Sequence, residues 1–309
     1  MIRLDAATVL LQWAVGGLAF LWVTTRHRQV GLGYGWLVRG TNLVLAAGAV
    51  LTGVRYRSVP VRDVAAAATV GAIAVALGAS IARKSAGVRG QTVEHDRRSG
   101  RVAAMTGIVR AGVSTTDGGN DIAGVDADGH SASPPPPTLR RAEFPPVLDL
   151  VAAAVGVVGL VAAGIDAGHG GGGRLLAVAR TLAGAAFLGA VTDAMLLGHW
   201  YLVQPGLPRR LLLELVRWLA RVWPFEVALL LIPTGMVSVL NGRIDDGWNG
   251  TLGWFWVACA LTTIALCAVT RAALRERQYS AVMAATGLLY LAILTAFGTD
   301  LVARAVLSG

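Results

Sequence analysis

Four side chains stand out in an otherwise apolar stretch of this chain: Thr192, Asp193, His199 and Glu226. Holding an ionisable group inside a bilayer is costly, so such groups retained within apolar segments are the first places to look for chemistry. At 100° per residue, Thr181, Thr192 and His199 fall near one line of a helix, with Asp193 one residue's rotation away. Ala185, Gly189 and Asp193 recur every fourth residue, a small-residue stripe that permits close helix packing beside the carboxylate. Glu226 follows Trp223 and Pro224. Together, two carboxyl groups, an imidazole and a hydroxyl could relay protons or bind a small solute through a helix bundle. Each also has a plain structural reading. Asp193 could bridge to a neighbouring helix, His199 could belong to an interfacial belt with Trp200 and Tyr201, and Glu226 could favour a helix N-terminus.

Beside this set runs a basic one. Pro208–Arg221 mixes leucines with Arg209, Arg210, Arg217 and Arg221, which predicts an amphipathic helix in the interface, its arginines toward anionic lipid headgroups at the cytoplasmic face. The alternative chemistry is that of a membrane redox subunit holding haem b or a quinone. Haem needs axial ligands from facing helices, and of five histidines only His27 and His199 could pair. A quinone would use His199 and Tyr201. Asp117, Asn120, Asp121, Asp126 and Asp128 faintly suggest a calcium loop, but the glycine and glutamate spacing of such loops is absent, so no metal site is assigned. No Ser/His/Asp arrangement or paired-aspartate motif is present, and no catalytic residue is assigned.

The elements that must position these residues follow from composition. Of 309 residues, 55% are hydrophobic and only 15% charged, and the mean hydropathy is +0.61. A soluble domain needs nearer 25% charged residues to wet its surface, so the expected fold is all-α, a polytopic membrane bundle. Eight apolar stretches are long enough to cross: 4–24, 36–53, 64–82, 147–164, 175–203, 224–240, 251–270 and 279–302. The fifth exceeds the bilayer and must tilt or protrude. The first apolar run has no cleavage-site pattern after it and is expected to be retained as a span.

The net charge of +9 does not imply nucleic acid, because the basic residues sit between apolar runs. With both termini outside, inner connections hold 19 basic residues and outer ones 7, which favours that orientation. Arginine outnumbers lysine 26 to 1, a bias of GC-rich genomes that fits the inner membrane of a bacterium. Three segments are expected: three spans over 1–82, a disordered Gly/Pro/Asp-rich cytoplasmic linker over 83–146, and five spans over 147–309. Arg180 and Asp300, near the outer ends of their spans, are expected to form an ion pair. Association with other membrane subunits, as a structural partner, is a further expectation. Cys259 and Cys267 lie ~12 Å apart on one helix, too far for a disulfide.

Overall fold

The computed structural model describes residues 4–84, 88, 144–204, 206–232, 235–276 and 278–308. The linker expected over 83–146, including the candidate calcium stretch, falls almost wholly outside them. Among the described residues every regular element is helical: α1 (Ala6–Thr25), α2 (Leu32–Tyr56), α3 (Pro60–Ala82), α4 (Val147–Ala167), α5 (Gly170–Val203), α6 (Arg210–Leu231), α7 (Met236–Leu240), α8 (Thr251–Ala273) and α9 (Tyr279–Leu307). Seven of these, all but α6 and α7, are long and apolar enough to cross a membrane, and they mark an integral membrane protein.

Side-chain contacts fix the direction of each helix. Asp5 and Thr8 meet Arg62 at the start of α3, Arg57 meets Asp166 near the end of α4, and Arg304 near the end of α9 reaches Gln12 in α1. These mark one end of the bundle, the Asp5 end. At the other, the Gln204 end, Arg26 meets Glu214 in α6, the Gly31 N–H donates to Gln204, and Tyr279 donates to the Tyr201 carbonyl.

The two most enclosed helices, α1 and α5, run parallel through the middle. They cross where Gly16 faces Ala185 and Gly189, so close that a Cβ on either glycine would overlap the other helix's backbone. Lipid tails compete with apolar side chains for helix surfaces, so association in a bilayer depends on such small-residue contact and on buried polar pairs. Around this pair stand α2, α3 and α4 on one side and α6, α8 and α9 on the other.

The sequence boundaries fail at the expected sixth span. Instead of an interfacial helix to 221 and a span over 224–240, one helix, α6, runs from Arg210 through Pro224 to Leu231, and a separate short α7 follows. Proline removes one backbone donor, but packing inside a bundle tolerates that loss, and the Trp223 indole donates to the Ala260 carbonyl of α8 at 2.9 Å. The helix is antiparallel to α5: Tyr201 bonds Pro208 before it, and Arg180 bonds Leu229 and Ile232 at its far end. Its charged residues, Arg210, Glu214, Arg217, Arg221 and Glu226, exclude it from the purely apolar class.

Between α7 and α8, Asp246 organises the turn. Its carboxylate accepts the backbone N–H groups of Trp248, Gly250, Leu252 and Gly253. Slight desolvation pushes its pKa up, but these four donors outweigh that and hold it below the usual carboxylate range.

Candidate functional site

The small-residue stripe on α5 places Asp193 inward, fully buried. Its titratable neighbours are Tyr34 of α2, whose hydroxyl reaches the Asp193 carbonyl at 3.5 Å, and Asp149 of α4. Neither carboxylate oxygen of Asp193 has a hydrogen-bond partner among the described residues. Thr192, one residue away, turns toward α1 and accepts the Trp13 indole N–H at 2.9 Å. His199 lies on the exposed flank of α5, with Nδ1 3.3 Å from the Tyr290 hydroxyl of α9.

Glu226 occupies a different place. It too is fully buried with both oxygens unpartnered among the described residues, but its neighbours are Asp300 and Arg304 of α9 and Arg180 of α5. Asp300 in turn faces Gly184, where an added Cβ would stand 2.9 Å from its Oδ1. From Gly184 to Asp193, α5 rises roughly 14 Å. The polar groups expected at one mouth are therefore divided: Asp193 toward the Gln204 end, Glu226 toward the Asp5 end, and His199 on the outside.

Two buried networks were not anticipated. In the first, Arg39 of α2 grips Asp149 of α4 through two bonds of 2.7 Å, with Ser80 at 3.4 Å and the Phe144 ring 4.2 Å from the guanidinium carbon. Arg39 is 1% exposed and Asp149 not at all. In the second, Arg304 bonds Asp300 at 2.8 Å and Gln12 at 2.5 Å. The expected Arg180–Asp300 ion pair does not form. Asp300 is taken by Arg304 one turn along its own helix, and Arg180 instead satisfies the Leu229 and Ile232 carbonyls where α6 ends, at 2.7 and 2.8 Å. The i,i+4 spacing of Asp300 and Arg304 was visible in the sequence; the α2–α4 pair was signalled only as one charge in each of two apolar runs.

At the Gln204 end, α6 turns its leucines inward and its charges outward. Arg210, Glu214, Arg217, Trp218 and Arg221 line a groove of about 300 Å³ with His27 of the α1–α2 turn. Glu214 binds both Arg26 and His27, and Arg221 stacks over Trp218 at 5.6 Å. Arg209 stands apart, donating to the Gln278 carbonyl at 2.9 Å. His27 thus meets Glu214 of α6, while His199 meets Tyr290 of α9. Among the described residues, no group of three His, Cys, Asp or Glu side chains is placed to hold a metal ion.

An apolar helical bundle with buried, partly unpartnered charges defines the class as an integral membrane protein with a polar interior. No family model matches the chain, no curated protein resembles it significantly, and no solved structure matches its fold.

Proposed function

We propose that the chain crosses the inner membrane of a bacterium eight times, with both termini outside, and moves protons or a small polar solute through its bundle. α6 supplies the eighth crossing in this reading: it is roughly 33 Å long, about the thickness of the hydrocarbon core, and lies antiparallel to α5. One observation carries the functional part. Asp193 and Glu226 are wholly buried, and among the described residues no hydrogen bond of ordinary length reaches either carboxylate. Such groups are expensive in a bilayer unless a proton, cation or solute completes them.

Further polar groups stand between and beyond these two. From the Asp5 end inward come Thr8 and Arg62, then Gln12, Arg304 and Asp300, then Glu226. Thr192 with Trp13 follows, then Asp193 with Tyr34, and last Asp149 with Arg39. This ladder supports passage of a proton or small solute along the centre of the bundle. His199, outside it, is the member this reading needs least.

The test is flux into proteoliposomes containing a trapped pH-sensitive dye under an imposed membrane potential. Flux above that of empty vesicles, reduced at least tenfold in Asp193→Asn and Glu226→Gln, is expected. Flux equal to that of empty vesicles, with no uptake in a parallel panel of labelled small solutes, sinks the reading.

A second reading has its own observation. The arginine-lined groove at the Gln204 end fits the phosphate of an anionic phospholipid, with Arg210, Arg217 and Arg221 as its donors. It concerns anchoring rather than passage and is compatible with the first.

A further inference from the structure

We infer that Glu226 carries a proton and donates it to Asp300 Oδ1, forming a carboxyl–carboxylate pair in the bundle interior beside Arg304. This deepens the reading above, on which it rests for its role in passage, by naming what Glu226 takes.

The first ground is an inventory of donors. Asp300 Oδ2 accepts from Arg304 Nε at 2.8 Å, which marks Asp300 as the ionised member, and its Oδ1 has no partner among the described residues. Glu226 adjoins Asp300, and both its oxygens are likewise unpartnered. The guanidinium groups nearby are engaged elsewhere: Arg304 also binds Gln12, and Arg180 binds the Leu229 and Ile232 carbonyls. An ionised carboxylate only accepts, so two adjacent carboxylates are linked by a hydrogen bond only when one holds a proton. A single proton on Glu226 satisfies one orphan oxygen on each side and removes a like-charge contact.

The second ground is what surrounds the pair. α1 contributes Gln12, α5 contributes Arg180 and Thr181, and α9 contributes Arg304. α7 has no titratable residue, and α8 has Cys259, which faces Gly298, with Cys267 and Arg271 further along. Two guanidinium groups beside the carboxyls repel a metal cation and favour ionised carboxyls, while burial and the adjoining Asp300 charge act the other way on Glu226. Gly184 lets the Gln12 amide and Asp300 pack directly against α5, since a Cβ there would overlap Gln12 Nε2 and stand 2.9 Å from Asp300 Oδ1. A narrow crevice of about 20 Å³, room for one water, is lined by Asp5, Thr8, Arg62, Thr181 and Arg304. Arg304 both lines this crevice and bonds Asp300, so one side chain separates the pair from the Asp5 end.

Infrared spectroscopy of the purified protein in lipid tests this. The expected signal is a protonated-carboxyl absorption between about pH 5 and 8, sensitive to deuterium exchange and shifted by ¹³C-glutamate labelling but not by ¹³C-aspartate. It should vanish in Glu226→Gln and change frequency in Asp300→Asn, since the latter alters the acceptor. Absence of any glutamate-derived protonated band in the labelled wild type overturns the inference, and that measurement needs no variant to fold. Measured with the flux assay, the two ideas separate. A band without flux keeps the proton pair and removes proton transport, whereas flux without the band does the reverse.

Discussion

Replacing Arg39 with methionine should destabilise the protein far more than replacing Arg39 and Asp149 together. The pair is deep: Arg39 is 1% exposed, Asp149 is not exposed, and two bonds of 2.7 Å join them. Removing one member strands the other without its counter-charge, and breaking a buried pair this way costs roughly 3–5 kcal/mol. Arg39→Met also leaves Asp149 near Asp193 with no cation among the described residues to offset either. Replacing both, as Arg39→Met with Asp149→Leu, removes the charges and keeps comparable volume, which is often neutral or mildly stabilising. The expected coupling energy is therefore about 3 kcal/mol or more, a shift of roughly a hundredfold in the unfolding constant. Denaturant unfolding in mixed micelles, run as a double-mutant cycle, measures it. Additive losses, with the double variant as unstable as the summed singles, would refute the reasoning and show that the guanidinium acts mainly through its packing on Phe144 and Ser80.

Three further outcomes follow from particular contacts. Gly189→Ile should push α1 and α5 apart and cost at least ~3 kcal/mol, seen as loss of the monodisperse peak in gel filtration, whereas Gly71→Ala, which meets open space, should be harmless. Arg217→Gln combined with Arg221→Gln should weaken retention of anionic phospholipid roughly 30-fold by native mass spectrometry, at about 1 kcal/mol per arginine; unchanged retention would discount the groove. Asp246 has a folded pKa below its ordinary value, so its contribution is present above the unfolded value near ~3.9 and fades as pH falls through the folded one. Protection of the Leu252 and Gly253 amides against exchange, taken relative to the intrinsic rate at each pH, should accordingly be high at neutral pH and fall in acid, with Asp246→Ala unprotected throughout; equal protection in that variant and the wild type would discount the cap.

Seven of the spans were legible because each is a run of apolar residues longer than any soluble strand, and runs of that kind read the same whatever they pack against. The expected sixth span was misdivided because arginines at 210, 217 and 221 and a proline at 224 look locally like an interfacial helix followed by a fresh start. In the structure they share one helix that runs unbroken through Pro224 and lies antiparallel to α5. The site residues were found one at a time, since a buried charge in an apolar run is conspicuous. Their grouping was not legible. Periodicity gives the rotation of Asp193 and Glu226 about their own axes, but not which helix stands opposite, and that choice sent one toward Asp149 and the other toward Asp300. Arg180 likewise found carbonyls rather than a carboxylate, because the end of α6 is fixed by tertiary packing.

The bond between Gln12 and Arg304 joins α1 to α9, across 292 residues. At ordinary synthesis rates, about 15 to 60 s separate the emergence of these two side chains from the ribosome. Throughout that interval α1 sits in the membrane with its amide lacking the partner it has in the finished bundle. This contact thus waits for α9 to be made, and a chain cut short before α9 leaves Gln12 and Glu226 both without these neighbours. Such an incomplete product carries its own mark of incompleteness: polar groups in lipid that a quality-control protease or chaperone could read.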